Sequence, residues 1–288
     1  MLSQSGDVVV AQAPANGEKV SLTGFLVVAF ALSWIGATPM VLASWFDAQN
    51  HGDTHAWLVR LAPLQVLMFL GPLIAAIWAS WRNYGRDGPI ALLRALVRFR
   101  LSPLFYLAVL AGPGLVAISS LLLAEKLDSS IDSSISRPMF LAAAQVFAVY
   151  LVLNTEEIAW RGYALPQLQR ELAPIAANLR LSAIWGVFHM PLFLMQGGHP
   201  AGYSIFVFVL LVLALGMLNG YLFNASGGSV LIVHLFHQSM NGWWEGMGLF
   251  PVMHDGAGLP FTIAVAFAAI FGGICAFKLR RMRAASQA

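Results

Sequence analysis

The chain has 288 residues, of which 59% are apolar and only 10% charged, and its formal net charge at pH 7 is +3. Soluble domains usually carry about 25% charged residues, so this composition excludes a soluble, disordered or fibrous protein. The single cysteine, Cys275, excludes an intrachain disulfide and a CxxC metal or redox site. The uniform apolar composition predicts one continuous membrane-embedded body.

Long apolar segments predict about eight transmembrane helices. A helix needs about 20 mostly apolar residues to cross the hydrocarbon core. Five stretches without Asp, Glu, Lys or Arg have or approach that length: 20–46, 61–81, 101–124, 138–155 and 256–277. A sixth stretch, 181–244, is long enough for three helices and is divided by breaker residues at 196–200 and 224–228. The predicted fold is an all-α, polytopic membrane helical bundle whose fourth and fifth helices are the shortest.

The positions of the basic residues predict the orientation of the bundle. With a cytoplasmic N-terminus, 13 of the 16 Lys and Arg residues lie in cytoplasmic loops, and only Arg60, Lys126 and Arg137 lie outside. With an odd number of helices, the Lys and Arg residues would no longer lie mainly on one side of the membrane. We therefore expect a multi-pass protein of a bacterial inner (plasma) membrane with both termini cytoplasmic. Arginines between Arg82 and Arg100 fit an amphipathic helix on anionic lipid, although a plain topology anchor is the favoured interpretation.

Two adjacent carboxylates end the fourth predicted helix. Glu157 and Arg161 are four residues apart and share a helix face, which predicts an ion pair. Glu156 points about 100° away from Glu157 and lacks that partner. A carboxylate against an apolar wall can act as a general base. The alternative is that both acids lie in headgroup water at a helix end.

Three histidines and an amide are the other polar groups at membrane depth, where such groups mark function or a partner. His189 lies in the fifth predicted helix, and alone it would be assigned to packing. His234, His237 and Asn241 have the spacing of one face of the seventh helix. His237 and Asn241 can direct donors to a common point, as an oxyanion site requires. His234 is interpreted as a supporting hydrogen-bonder.

These motifs resemble those of the CPBP family, the CAAX prenyl proteases and bacteriocin-processing enzymes, also called Abi-type. Its pattern of Glu-Glu-x-x-x-Arg, Phe-x-x-x-His and His-x-x-x-Asn in membrane helices has three counterparts here. They are Glu156-Glu157-x-x-x-Arg161, Trp185-x-x-x-His189 with Trp in the usual Phe place, and His237-x-x-x-Asn241. The resemblance covers roughly residues 138–250.

The resemblance implies hydrolysis of peptide bonds inside the membrane. Glu156 and His189 would activate the attacking water, and His237 and Asn241 would stabilise the tetrahedral oxyanion. Glu157 and Arg161 would hold the site in shape. Glu156, His189 and His237 are also a ligand set that catalytic zinc sites use. We favour a metal-free glutamate protease without a cofactor, because the chain lacks His-Glu-x-x-His and Asn241 fits an oxyanion donor better than a zinc ligand.

The sequence divides into four predicted segments. They are a disordered cytoplasmic tail (1–19), N-terminal transmembrane helices with an amphipathic loop (20–137), a CPBP-like catalytic core (138–250) and a last transmembrane helix with a basic cytoplasmic tail (251–288). We expect the lipid bilayer and a peptide or protein substrate as partners, and no nucleic acid. The oligomeric state stays open, since the Gly-x-x-x-Gly at Gly216 and Gly220 can pack within or between chains.

Two other function classes remain as alternatives. The first is a non-catalytic membrane protein of the same fold, such as a bacteriocin-immunity or assembly factor. The second is a small transporter or proton relay, because Glu and His inside a bundle also suit proton transfer. A transporter built from inverted repeats would show symmetric halves with paired broken helices, and no internal repeat is visible in the sequence.

Overall fold

The computed structural model describes residues 19–50, 54–194, 204–250 and 258–282, and within these ranges the chain forms helices and no strand. The helices are α1 (Leu22–Asn50), α2 (Thr54–Tyr84), α3 (Asp87–Leu96), α4 (Pro103–Leu127), α5 (Arg137–Leu153), α6 (Glu156–Ala159), α7 (Leu165–Gln169), α8 (Pro174–Phe188), α9 (Met190–Leu194), α10 (Ile205–Ala225), α11 (Val230–Gly246) and α12 (Gly258–Arg281). A π-helical segment, Trp160–Ala164, joins α6 to α7. The predicted tail before Lys19, the breaker at 196–200 and the tail after Met282 lie outside the described residues.

Eight of these helices correspond to the eight predicted from apolar stretches: α1, α2, α4, α5, α8, α10, α11 and α12. Among the described residues, five helices are individually long and apolar enough to cross a membrane, namely α1, α2, α4, α10 and α12. α5 and the Glu156–Gln169 segment form a sixth span if the 42° bend between them lies inside one crossing. α8 and α11, with 15 and 17 residues, are shorter. The chain is an integral, multi-pass, all-α membrane protein.

Local sequence signals explain where several helices begin. The hydroxyl oxygens of Ser102, Ser204 and Ser229 accept hydrogen bonds from the backbone N–H groups of the first turns of α4, α10 and α11. These bonds satisfy donors that have no partner within a helix. Proline occupies the first turns of α4, α5 and α8, where its fixed φ suits the helix and its missing N–H costs nothing.

Small residues allow α10 and α8 to approach closely. A Cβ atom on Gly216 would lie 1.8 Å from Ser182 Oγ, and one on Gly220 would lie 1.8 Å from Asn178 Oδ1. Both glycines are therefore required by contacts inside this chain. The Gly-x-x-x-Gly motif packs α10 against α8, so one of the two arrangements that the sequence left open is observed.

The predicted amphipathic segment contains α3, which contacts α2, α11 and the π-helical segment. It buries Gly88 and Leu92, and leaves Leu93 and Arg94 exposed. Just after α3, Arg98 donates a hydrogen bond to the carbonyl of Gly227, and its own carbonyl accepts one from Ser229 Oγ at 2.9 Å. These bonds tie the end of α3 to the turn that begins α11.

Two boundaries differ from the sequence-based prediction, and both concern the site. The fourth predicted helix ends at Leu153, so Glu156 and Glu157 begin the separate short helix α6. The fifth ends at Phe188, and His189 follows it as the capping residue, between α8 and α9. Both carboxylates and His189 therefore lie next to interruptions in helical backbone.

Candidate active site

The break between α5 and α6 is held in place by two side chains of α11. His234 Nε2 lies 2.9 Å from the carbonyl oxygen of Leu151, and Gln238 Nε2 donates at 3.3 Å to that of Asn154. Gln238 Nε2 also lies 3.4 Å from His234 Nδ1. These contacts satisfy carbonyls that the break removes from the helix ladder. The Asn154 side chain then accepts from the backbone N–H of Glu156 at 3.3 Å, which starts α6.

Glu157 is at the centre of a closed, charged cluster. Its Oε1 lies 3.0 Å from Arg161 Nη1, the pair that the four-residue spacing predicts, and 2.8 Å from His237 Nδ1. Asn219 Nδ2 of α10 donates to the same oxygen at 3.3 Å. Glu157 and Arg161 have exposures of 0% and 1%. Removal of either residue would leave the other as a buried charge without a counter-charge, so the stability of the protein should depend on both.

Glu156 has a different, neutral set of partners. Its Oε2 accepts from the indole N–H of Trp160 at 3.1 Å and from that of Trp185 at 2.8 Å. Trp160 is one helical turn further along its own segment, whereas Trp185 comes from α8. The two indoles fix the orientation of the carboxylate without a counter-charge. At 7% exposure, Glu156 retains a small accessible surface that Glu157 lacks.

His189 is oriented by backbone and aromatic contacts. Its Nδ1 lies 2.7 Å from the carbonyl oxygen of Trp185. Since a carbonyl can only accept, Nδ1 carries a proton, and Nε2 is the ring nitrogen left for other contacts. The ring makes edge-on contacts with Trp185 and Phe188 at centroid distances of 5.1 and 5.3 Å. Trp34 of α1 donates to the Phe188 carbonyl at 3.0 Å and so fixes the chain just before His189.

Trp185 contacts four residues of the candidate site. Its N–H binds Glu156, its carbonyl binds His189, and its ring lies 5.5 Å, edge-on, from that of His237. The guanidinium of Arg161 lies 5.2 Å from its ring centroid, within the range of a cation–π contact. A phenylalanine at this position would keep the packing and lose the hydrogen bond to Glu156.

The two predicted oxyanion donors, His237 and Asn241, have different partners. His237 Nδ1 lies next to the Glu157 carboxylate, which is paired with Arg161. The carboxylate is therefore the acceptor and Nδ1 of His237 is the donor. This leaves Nε2 of His237 for other contacts. Asn241 Nδ2 donates to Gln238 Oε1 at 3.3 Å. The second amide hydrogen of Asn241 has no partner among the described residues. Both side chains lie on the face of α11 that the spacing predicts.

The structure brings five of the seven predicted residues into two groups, while His234 and Asn241 both contact Gln238. Glu157, Arg161 and His237 contact one another directly. Glu156 and His189 are linked through Trp185, and among the described residues no hydrogen bond joins them directly. Within that same part of the chain, no three His, Cys, Asp or Glu side chains form a group that could hold a metal ion.

Three further polar residues belong to the candidate site and were not singled out from the sequence: Trp160, Asn219 and Gln238. Trp185 was noted only as the aromatic residue of its motif, without its hydrogen bond. Asn219 and Gln238 carried a signal, because a buried amide in an apolar helix requires a partner. The indole contacts carried none, because they depend on how α6 and α8 meet in space.

Comparisons with known proteins cover this part of the chain. A family model described as Type II CAAX prenyl endopeptidase Rce1-like matches residues 137–243. "CAAX prenyl protease 2" of Methanococcus maripaludis is 26% identical over 104 residues, which is 33% of this chain and 38% of that protein. The chain thus matches well under half of the relative's length. The family match includes all seven predicted site residues: Glu156, Glu157, Arg161, His189, His234, His237 and Asn241.

Proposed function

We propose that this membrane protein hydrolyses peptide bonds within the bilayer. The proposal is supported by the match of residues 137–243 to the model described as Type II CAAX prenyl endopeptidase Rce1-like, and it agrees with the resemblance to the CPBP family. The observation that carries the proposal is the arrangement of Glu156, His189 and His237 around the side chain of Trp185. A carboxylate with two imidazoles has the chemistry needed to activate water.

In this mechanism Glu156 is the general base. The two indole donors engage Oε2 and set the plane of the carboxylate, so that its remaining lone pairs face one direction. His189, with its proton on Nδ1, offers the lone pair of Nε2 to the same water. A water held by two acceptors loses a proton to Glu156 as its oxygen attacks the substrate carbonyl. The protonated Glu156 then gives this proton to the leaving amine as the C–N bond breaks, so no covalent intermediate is needed. The low dielectric of the site strengthens each of these contacts.

His237 and Asn241 stabilise the oxyanion that this attack creates. Asn241 contributes the amide hydrogen that Gln238 does not use. For His237 Nε2 to donate, the ring must carry both protons, and its positive charge would then face the Glu157 carboxylate 2.8 Å away. Donors fixed before the reaction stabilise the developing charge without reorganisation. Glu157 and Arg161 act by positioning His237, and His234 by holding the break that precedes Glu156.

We also propose that the reaction requires no metal ion or other cofactor. The proposal rests on the sequence, which lacks His-Glu-x-x-His, and on Asn241, which fits an oxyanion donor better than a zinc ligand. Metal-free hydrolysis predicts full activity after exhaustive chelation and no stoichiometric metal by elemental analysis. Loss of activity on chelation, restored by added zinc, would contradict this part of the proposal.

The substrate is a membrane-associated protein or peptide, and four classes are compatible with the site. They are prenylated C-terminal tails, peptide precursors, bacteriocin leaders and membrane-anchored regulators. The test presents one representative of each class to the purified protein in lipid bilayers and identifies products by mass spectrometry. Cleavage by the wild type and not by Glu156→Gln supports the proposal. Absence of cleavage in all four classes, or equal cleavage by Glu156→Gln, would contradict it and favour the non-catalytic alternative.

A further inference from the structure

A cavity of about 600 Å³ lies at one end of the bundle, away from the candidate active site. It is bordered by the beginning of α1, the end of α2, the α7 segment with the residues after it, and the first half of α8. Its lining includes three basic side chains, Lys19, Arg170 and Arg180, and one acidic side chain, Glu171. Its volume is within the range of small-ligand sites in proteins.

The positive charges of this cavity are not neutralised by neighbouring carboxylates. Within the described part of the chain, no ion pair joins Glu171 or any other acid to Lys19, Arg170 or Arg180. Arg170 is positioned by neutral partners, since its Nη1 donates to Tyr84 Oη and Gln167 Oε1, both at 3.0 Å. Lys19, Arg170, Arg180 and Glu171 together give the lining a formal charge of +2. The guanidinium of Arg170 is already oriented by its hydrogen bonds.

The lining of the same cavity also has aliphatic side chains near its basic residues. Leu22 and Leu26 follow Lys19 on α1, Leu168 precedes Arg170, and Ile184 follows Arg180 on α8. Where helices begin and end, a membrane protein meets the headgroup region of the bilayer. Basic groups with aliphatic groups near them match a ligand with an anionic head and an apolar continuation. Basic pockets between transmembrane helices bind lipid headgroups in this way.

We propose that this cavity is a binding site for the phosphate of an anionic phospholipid. Lys19, Arg170 and Arg180 would contact the headgroup, while the aliphatic side chains contact the glycerol and the first methylenes of the acyl chains. Tyr84 and Gln167 contribute by orienting Arg170. Binding there would join α1 and α2 to the α7–α8 connection, which belongs to the family-matched segment.

The test uses the full chain extracted from vesicles that contain equal amounts of phosphatidylcholine and phosphatidylglycerol, with retained lipids identified by native mass spectrometry. Lys19 and Arg180 make no hydrogen bond with the described residues, so the double variant Lys19→Gln/Arg180→Gln leaves protein contacts intact. The matched control, Arg94→Gln/Arg100→Gln, removes the same charge from exposed positions outside the cavity. Ile184→Trp fills the cavity without changing charge.

We expect the wild type and the control to retain phosphatidylglycerol selectively. The double variant should bind phosphatidylglycerol about tenfold more weakly than the wild type. Ile184→Trp should also bind this lipid more weakly than the wild type. Undiminished retention by both cavity variants, or an equal loss in the control, would overturn the proposal. Thermal unfolding of the protein in phosphatidylcholine, with either inorganic phosphate or phosphatidylglycerol added, distinguishes a soluble anion from a lipid headgroup as the ligand. If inorganic phosphate stabilises the wild type as much as phosphatidylglycerol does, the site binds a soluble anion and the lipid assignment is wrong.

Discussion

The surroundings of Glu156 and Glu157 differ although the two residues are adjacent. Glu157 is wholly buried and lies among charged and polar partners, Arg161, His237 and Asn219. Glu156 has two indole N–H donors on a single oxygen and keeps 7% of its surface exposed. Neighbouring positions in a short helix point in different directions, so each carboxylate meets different helices.

We propose that this difference separates a structural role for Glu157 from a chemical role for Glu156. Breaking a buried ion pair leaves an uncompensated charge, so the Glu157 cluster is costly to disturb and poorly suited to giving or taking protons. The neutral donors around Glu156 fix its orientation while leaving its charge available to a water molecule. Each substitution below removes an interaction or a side chain from one of these two surroundings.

The largest effect is expected from removing the imidazole next to Glu156. His189→Ala should lower the rate of peptide hydrolysis by about 10² to 10⁴-fold, the usual range for an acid–base group. Its stability should change little, because His189 is only half-buried. Single-turnover cleavage measures the rate, and Val187→Ala, at an exposed position of α8, is the control. A His189→Ala protein with wild-type rates would remove His189 from the proposed mechanism.

The next effect concerns stability. Glu157→Gln should lower the free energy of unfolding by about 3 to 5 kcal/mol, because Arg161 is left buried without its counter-charge. Denaturant unfolding in detergent micelles measures the change. The same substitution at exposed Glu171 should cost less than about 0.5 kcal/mol. Equal stability of the two variants would mean that the Glu157 pair is not structurally important.

The smallest effect should come from a single indole donor. Trp185→Phe removes the 2.8 Å hydrogen bond to Glu156 and keeps an aromatic ring, so we expect about a tenfold lower rate. Trp160→Phe, which removes the 3.1 Å bond to the same oxygen, is the matched comparison. The double variant should lose more activity than either single variant. If none of the three differs from the wild type, the indoles do not position the carboxylate.

The apolar stretches predicted the helices well because membrane burial leaves a strong signal in composition. The break after Leu153 was not predicted, since Asn154 and Thr155 are not strong helix breakers. It exists because His234 and Gln238, from a distant part of the chain, satisfy the freed carbonyls. A break that depends on tertiary contacts leaves little trace in the local sequence.

The site was predictable in its charged residues and not in its aromatic ones. Glu157 and Arg161 are four apart on one helix, so spacing alone placed them together. The family pattern suggested that Trp185 merely replaces another aromatic ring. Its N–H became relevant only when the structure placed Glu156 within 2.8 Å. Aromatic residues are common throughout this chain, and sequence offers no means to distinguish those that donate hydrogen bonds.

The central claim is that Glu156 performs the chemistry while Glu157 maintains the site. It is tested most directly by measuring the single-turnover rate and the unfolding free energy of Glu156→Gln in one preparation. The amide oxygen of Gln still accepts from both indoles, so the account predicts near wild-type stability and a rate at least about 10²-fold lower. A fully active Glu156→Gln protein, or one whose loss of activity is matched by unfolding, would contradict it.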